Sequence, residues 1–274
     1  MAGKTLDLEA EYNNRAAVPD HPAVMARWKA DAEAARAAHP PTALPYGSGE
    51  REVMDLFEAG PDAPVAVFIH GGYWQALDRS WFSWIAPAFL KHGVSLAVPS
   101  YDLCPDVRLG RIIGEIRDAV ALIRTRTGRR PVVLGHSAGG HLAACMLATD
   151  WPAYDVSLPP ALVIAAYSIS GLFDLGPLVE TSINKALHLD PAAARAASPL
   201  FWDAPKGGSL DAVVGENESA EYFRQSRTIV EAWGAAGTLT RFGTVSGANH
   251  FTAIAPLADP GSLMVLRLKQ LAGR

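Results

Sequence analysis

The chain has 274 residues, of which 49% are hydrophobic and 19% charged, and this composition is typical of a folded protein with a large core rather than a disordered chain. A formal net charge of −4 offers no electrostatic basis for binding nucleic acid or an anionic membrane surface, so neither partner is expected. Two cysteines, no apolar run of membrane-spanning length and no secretory signal in residues 1–9 favour a reduced, soluble, cytoplasmic protein.

Residues 1–45 precede any clear strand signal and are predicted to form a helical arm. A helix start is indicated at 20–22, because Asp20 can cap the helix and Pro22 fits its first turn. Apolar residues then recur at helical spacing as far as residue 38, at Val24, Met25, Trp28, Ala32 and Ala35. Such an arm can pack over an active-site mouth or along a sheet edge, and simple packing is the favoured interpretation.

The segment HGGYW at 70–74 directly follows an apolar run at 65–69 that is typical of a central parallel strand. A weaker strand signal precedes it at 51–58. Two glycines after a strand let the backbone approach a ligand and turn its N–H groups inward. Alone, the segment would be interpreted as an ordinary glycine-rich turn. Together with a nucleophile motif further along the chain, it is predicted to supply N–H groups to an oxyanion.

Helices are predicted at 79–91 and 106–127, with a strand at 94–98 between them. The second helix is amphipathic and ends at Gly128. A short buried strand at 131–134 follows, and an Ala- and Leu-rich run from 138 to 149 is predicted to be helical.

The motif GHSAG at 135–139 lies at the corner between that strand and that helix. A serine between two glycines at such a corner is typical of the nucleophile elbow of the α/β-hydrolase fold. The turn would hold Ser137 in a strained conformation, so the residues two before and two after it must be small. The elbow would point the hydroxyl out of the sheet and place the N–H of Ala138 at a helix N-terminus, where it can stabilise an oxyanion.

The second half of the chain continues the alternation of strands and helices. Strands are predicted at 162–167, 210–215 and 238–245, and helices at 219–236 and from about 261 onwards. Short helices interrupted by prolines at about 172–203 suit a small cap insertion. These elements predict an α/β fold over residues 1–274 as one domain, with a mostly parallel doubly wound sheet and helices on both faces.

A serine hydroxyl needs a base within hydrogen-bond reach, and the base needs an acid to orient it. In this fold the acid and the histidine follow late strands, and His250 follows the last one. His70, His136 and His141 are the candidate ligands for a metal site, but no carboxylate or cysteine spacing supports such a site. No metal and no cofactor are therefore expected.

Several carboxylates compete for the role of the acid. Glu218, three residues past Gly215, is the preferred candidate, and Glu216 is its nearest rival. Asp211 lies inside a strand, where its side chain is less free to reach a loop histidine. Asp174 can simply cap a helix. The choice among Glu218, Glu216 and Asp174 stays open from the sequence.

The chain resembles the arylformamidases, or kynurenine formamidases, within the α/β-hydrolases. The resemblance extends over most of the chain, and its segments are EYN at 11–13, HGGYW at 70–74, YDLCP at 101–105, the elbow, and GANHF at 247–251. It implies Ser137 as nucleophile, His250 as base, and an oxyanion hole in the backbone around Gly72, Tyr73 and Ala138. Relatives carry an aspartate as the acid, and here Glu218 stands at that position of the segment 215–222.

The resemblance also implies hydrolysis of N-formyl-L-kynurenine, a small molecule, to formate and L-kynurenine. Candidate aromatic walls for the substrate are Tyr73, Trp74, Trp81 and Trp202, although core packing is the favoured interpretation for each of them taken singly. The alternatives are a carboxylesterase for small acyl esters and a non-catalytic binding protein of the same fold. Retention of His250 argues against the last of these. The sequence leaves the oligomeric state open, with a homodimer as one option.

Overall fold

The computed structural model describes residues 6–273, so residues 1–5 of the predicted arm lie outside the described residues. Eight strands form one sheet in the order β1-β2-β4-β3-β5-β6-β7-β8. The strands are β1 Thr42–Pro45, β2 Val53–Phe57, β3 Val65–Ile69, β4 Ser95–Pro99, β5 Val132–His136, β6 Ala165–Ile169, β7 Ser209–Gly215 and β8 Leu239–Val245. Strands β3 to β8 pair in parallel, whereas β1 and β2 are antiparallel at one edge. The predicted mostly parallel sheet is confirmed.

Helices cover both faces of the sheet. They are α1 Leu8–Tyr12, α2 Asn14–Ala17, α3 His21–Ala38, α4 Ala86–Lys91, α5 Leu109–Thr127, α6 Ala138–Leu147, α7 Trp151–Tyr154, α8 Asn184–Leu187, α9 Pro191–Ala196, α10 Ala220–Ala235 and α11 Leu263–Ala272. Short 3₁₀ helices lie at Arg79–Ile85, Gly176–Glu180, Pro199–Phe201 and Ala255–Ala258. The residues predicted to form a cap, 172–203, thus contain four short helices; that they belong to a single domain stays a prediction.

Strand β3 is apolar throughout because it is buried on both faces. Val65 and Val67 face a core that they share with α5, α6 and α10. Ala66 and Phe68 face a second core that they share with α3, α4 and α11. The period-2 alternation of the strand therefore divides its side chains between two apolar layers. This double burial places the carboxyl end of β3 in the middle of the molecule.

Strand β1 corrects the prediction that no strand precedes residue 45. It is a mostly exposed edge strand whose pairing with β2 sets its conformation, so its own residues carry little hydrophobic signal. Strand β6 begins three residues later than predicted and includes Ser168 and Ile169. The predicted helix at 79–91 is a 3₁₀ helix followed by α4, because Pro87 has no N–H to donate into a preceding turn.

The arm helix α3 lies where predicted, but Asp20 makes no side-chain hydrogen bond to it. Asp20 has φ −86° and ψ 4°, which is not the extended conformation from which a capping side chain reaches the first turn. Instead, the buried carboxylate of Asp55 on β2 anchors the arm through Arg36, and Arg79 Nε donates to the same carboxylate at 3.1 Å. Within residues 6–273, none of the helices combines the length and the hydropathy that a bilayer span requires.

Candidate active site

Ser137 lies at a sharp corner between β5 and α6, with φ 57° and ψ −119°. Non-glycine residues rarely adopt positive φ, so this backbone is strained and is held by its surroundings. The N–H of Ser137 donates to the carbonyl of Ile169 at 2.8 Å. A Cβ on Gly135 would lie 2.2 Å from the carbonyl oxygen of Gly139, and one on Gly139 would lie 1.9 Å from that of Ile69. Only glycine fits at either position.

A continuous hydrogen-bonded chain joins Ser137, His250 and Glu218. The hydroxyl of Ser137 lies 3.0 Å from Nε2 of His250, and Nδ1 of the same ring lies 2.7 Å from Oε2 of Glu218. The side chains of His250 and Glu218 are 7% and 1% exposed, so the pair is shielded from water. With Nδ1–H donating to the carboxylate, Nε2 is left as an acceptor for the serine proton.

Two groups hold Glu218 in place. Its Oε1 accepts from the backbone N–H of Gly215 at 2.6 Å and from the hydroxyl of Ser170. Ser170 follows β6 and has a positive φ of 53°. Sequence reasoning missed Ser170, because its only signal was its place after a parallel strand. Because the hydroxyl of Ser170 binds Oε1 of Glu218, the other carboxylate oxygen, Oε2, is directed at His250.

The rival carboxylates are engaged elsewhere. Glu216 accepts from the N–H of Gly247 at 2.8 Å and the hydroxyl of Ser246 at 2.9 Å, which lowers its pKa. Asp174 accepts from the N–H of its neighbour Gly176 at 3.0 Å. Asp211 lies in β7 and binds the guanidinium of Arg267 through both oxygens, at 2.8 and 3.1 Å. Among residues 6–273, Glu218 is the one carboxylate hydrogen-bonded to His250.

The segment after β3 turns its backbone toward Ser137. Gly72 and Tyr73 have φ 108° and 50°, and a Cβ on Gly71 would lie 3.1 Å from Cβ of Ser137. The N–H groups of Gly72, Tyr73 and Ala138 donate to no acceptor within residues 6–273. Ala138 is the first residue of α6. Free N–H groups beside a nucleophile can stabilise an oxyanion.

A cavity of about 400 Å³ opens onto Ser137 and His250. That volume falls within the range of about 300–1,000 Å³ usual for small-molecule sites. Its aromatic walls are Tyr12, Trp28, Tyr73, Phe82 and Phe251. Met25 and Trp28 come from the arm, and Ser182 and Ile183 from the predicted cap segment. The arm therefore forms part of the cavity wall, in addition to the simple packing that the sequence favoured.

Of the four aromatic residues expected to line the site, Tyr73 alone does so among the described residues. Trp74 is fully buried with its ring centroid 5.0 Å from that of His141, because its own positive φ of 56° turns the side chain into the core. Trp81 lies beside Lys29, and the indole N–H of Trp202 donates to the carbonyl of Ala196 at 2.8 Å. The expectation that Trp74, Trp81 and Trp202 line the cavity is therefore wrong.

A network of tyrosines fixes the cavity wall to the arm. The hydroxyl of Tyr73 donates to the carbonyl of Tyr12 at 2.6 Å and lies 2.7 Å from that of Tyr222. Tyr12 in turn donates to the carboxylate of Glu221 at 2.6 Å. Burial raises the pKa of all three phenols, so they remain neutral donors. The segment at 11–13 carried the resemblance, but its part in the site was not predicted.

Three comparisons with known proteins agree with this architecture. Residues 66–267 match the model of the Alpha/beta hydrolase family. A kynurenine formamidase of Danio rerio is 32% identical over 241 residues, which cover 84% of this chain and 81% of that protein. The chain belongs to the kynurenine formamidase family. A family member of Drosophila melanogaster is 30% identical over 226 residues, covering 77% of this chain and 74% of that protein.

Membership of the kynurenine formamidase family makes this protein a hydrolase. The crystal structure of a candidate thioesterase from Silicibacter sp. TM1040 has the same fold, with a TM-score of 0.84 and 36% identity. The match covers 95% of this chain and 98% of that one. The predicted fold class is thus confirmed at the level of both sequence and structure.

Three buried histidines surround the site of this kynurenine formamidase family member without joining Ser137. Burial lowers the pKa of His70 and of His141 to about 4, and burial together with His250 lowers that of His136 well below its ordinary value. His136 donates from Nε2 to the carbonyl of His250 at 2.8 Å, and His141 to that of Ala197 at 2.7 Å. Within residues 6–273 no group of three or more His, Cys, Asp or Glu side chains could hold a metal ion.

We expect the buried histidines to make the stability of this family member sensitive to acid. A pKa near 4 in the folded protein lies below the unfolded value of about 6.5, so the unfolded chain binds protons first as the pH falls. The stability that a neutral, buried histidine contributes is fully present above about pH 6.5 and is lost as the pH falls toward about 4. Between about pH 7 and about pH 5, each such histidine should cost about 2 kcal/mol in the free energy of unfolding.

Denaturant unfolding at the two pH values tests this with His141→Gln, which removes one titration and keeps a donor for Ala197. The fall in the free energy of unfolding should shrink by about 2 kcal/mol. The exposed His39 supplies the control variant His39→Gln, which should follow the wild type. Equal pH dependence in His141→Gln and the wild type would contradict the expectation.

Proposed function

We propose that the protein hydrolyses the formamide of N-formyl-L-kynurenine to formate and L-kynurenine through a formyl-enzyme on Ser137. The observation that carries this is the hydrogen-bonded chain Ser137–His250–Glu218, of which Ser137 and His250 line a cavity of about 400 Å³. The similarity to the kynurenine formamidases of Danio rerio and Drosophila melanogaster supports the choice of substrate.

In the first half of the proposed reaction, Oγ of Ser137 attacks the formyl carbon and its proton passes to Nε2 of His250. The carboxylate of Glu218, 2.7 Å from Nδ1, stabilises the imidazolium that forms. The negative charge on the former carbonyl oxygen is met by the N–H groups of the segment after β3 and of Ala138. His250 then protonates the aniline nitrogen, the C–N bond breaks, and L-kynurenine leaves.

In the second half, water attacks the formyl ester of Ser137. His250 accepts a proton from that water and returns one to Oγ as the C–O bond breaks, so formate leaves and the enzyme is restored. The acyl group consists of one carbon, so little binding energy can come from it. Recognition must therefore rest on the aryl ketone and its amino-acid tail. The aromatic walls of the cavity, among them Trp28 and Phe82, suit an aryl ring.

A carboxylesterase for small acyl esters is the second candidate, because the same serine, base and acid would serve it. The similarity to a candidate thioesterase, which would cleave an acyl bond to sulfur, supports this second candidate. The test is kcat/KM for N-formyl-L-kynurenine against that for short p-nitrophenyl esters. Formamide hydrolysis at the higher efficiency is expected. Efficient ester hydrolysis with no formamide turnover would replace the proposed substrate, and no turnover of either would favour a non-catalytic binding protein.

We also expect activity to be indifferent to a chelator, since no step of the proposed mechanism uses a metal ion. Formamide hydrolysis is to be measured after incubation with EDTA and after readdition of Zn²⁺. Loss of activity in EDTA that zinc restores would overturn the serine mechanism.

A further inference from the structure

Among the described residues, Arg15 on α2 is the one lining residue of the cavity that carries a permanent charge. The other lining residues are apolar, aromatic, amide, hydroxyl or imidazole side chains and glycines, and none of the described ones is a carboxylate. Ser137 is almost fully buried at the floor, whereas Arg15 is exposed at the mouth. The lining of the cavity therefore includes a deeply buried hydroxyl and a solvent-exposed cation.

No carboxylate within residues 6–273 lies within 4 Å of Arg15. Glu11, four residues earlier, accepts instead from the backbone N–H of Glu221 at 3.1 Å. Glu9 accepts from the N–H and the hydroxyl of Ser182, both at 2.7 Å. The two acids that most closely precede Arg15 in the chain are thus engaged by other groups, and Asp20, five residues after it, forms no ion pair with it. The guanidinium keeps its donors for a ligand.

The segment that carries Arg15 is fixed relative to the nucleophile. Asn14 donates to the hydroxyl of Tyr222 at 2.7 Å and to that of Tyr73 at 3.1 Å. Tyr73 lines the same cavity as Ser137, and its hydroxyl also donates to the carbonyl of Tyr12. Asn14, the residue before Arg15, is therefore hydrogen-bonded directly to Tyr73 in the segment after β3. Such preorganisation lowers the entropic cost of holding a ligand at both ends.

We infer that Arg15 binds the α-carboxylate of the substrate and makes the site selective for formamides with an anionic tail. This inference rests on the proposed function. A guanidinium can bind a carboxylate through two parallel N–H···O bonds, which fixes orientation as well as charge. A substrate tail that has an ammonium group and no carboxylate would be repelled by Arg15, and no carboxylate among the described lining residues would offset that repulsion. Arg15 thus selects the amino-acid substrate by its carboxylate, while Ser137 acts on the formyl group.

The experiment compares N-formyl-L-kynurenine with N-formylkynuramine, which keeps the formamide, the aryl ketone and the ammonium but lacks the carboxylate. In the wild type the acid should be the better substrate. Arg15→Met should reduce the ratio of kcat/KM between acid and amine by about 10- to 100-fold, the range for a hydrogen bond to a charged group. The loss should lie in KM for the acid. Arg15→Lys, which keeps the charge, should retain part of the ratio.

Arg129→Met is the matched control, because it removes the same charge at a residue just before β5, at the opposite end of that strand from Ser137. Its acid-to-amine ratio should equal that of the wild type. An unchanged ratio in Arg15→Met, or an equal fall in Arg129→Met, would overturn the inference. Either result would leave the proposed function standing if the wild type hydrolyses the acid.

Binding to inactive protein separates the two proposals. The Kd of L-kynurenine for Ser137→Ala should be about 10- to 100-fold lower than for Ser137→Ala with Arg15→Met, and kynuramine should show no such difference. If the wild type hydrolyses neither formamide, the proposed function is wrong and this assay decides the role of Arg15 by itself. Equal affinity for L-kynurenine in the two proteins would overturn the inference whatever the activity.

Discussion

Replacing Ser137 with alanine is expected to lower kcat for formamide hydrolysis by about 10⁴- to 10⁶-fold while the protein stays folded. The variant lacks the oxygen that would form the acyl-enzyme, and the backbone of Ser137 is held by the N–H bond to Ile169 rather than by the hydroxyl. Steady-state kinetics and far-UV circular dichroism measure the two expectations. A serine-directed organophosphate should label Ser137 in the wild type, which mass spectrometry of the labelled peptide can verify.

The control for that variant is Ser209→Ala. The hydroxyl of Ser209 is buried at the start of β7 with no hydrogen-bond partner among the described residues, so its removal breaks no bond. Its activity should match the wild type. Activity of Ser137→Ala within about tenfold of the wild type would remove Ser137 from the nucleophile role, given the usual scale of loss. Labelling at another residue would do the same.

Glu218→Gln is expected to lower kcat by about 10⁴-fold, the scale known for the amide substitution in serine proteases. The carboxylate accepts from Nδ1–H of His250 and so leaves Nε2 free to take the serine proton. An amide can instead donate to Nδ1, which holds the wrong tautomer and withdraws the charge that stabilises the imidazolium. Because Gly215 and Ser170 also bind this carboxylate, the thermal midpoint of the variant is to be measured beside its kinetics.

Glu216→Gln and Asp174→Asn are the matched controls, since each removes one of the carboxylates that the sequence left as rivals for the role of the acid. Glu216 binds Ser246 and Gly247, and Asp174 binds Gly176, so neither touches His250. Each should retain activity within about tenfold of the wild type, far from the loss expected for a triad member. A larger loss in Asp174→Asn than in Glu218→Gln would place the acid after β6 and contradict the assignment of Glu218.

The sequence by itself determined the parts of this protein whose conformation depends on near neighbours. Strand β3 is indicated by its continuous apolar run and helix α5 by its helical hydrophobic period. The confirmed fold class follows from the alternation of such strands and helices along the chain. The elbow around Ser137 is partly local, since Gly135 is required by the close approach of the carbonyl of Gly139, whereas Gly139 is required by the carbonyl of Ile69 on β3. Chain order after the last strand was enough to single out His250, because the carboxyl ends of parallel strands share one edge.

Only the tertiary structure decided which distant side chains meet. The contact between Glu218 and His250 spans 32 residues and that between Tyr12 and Glu221 spans 209, and no local pattern records either distance. The tertiary structure also decided which aromatic residues line the cavity. Trp28 of the arm lines it, whereas Trp74, which directly follows the lining residue Tyr73, is buried in the core. Sequence patterns report the local period and burial of an element, whereas the meeting of remote loops depends on strand order and on the packing of the arm across the sheet.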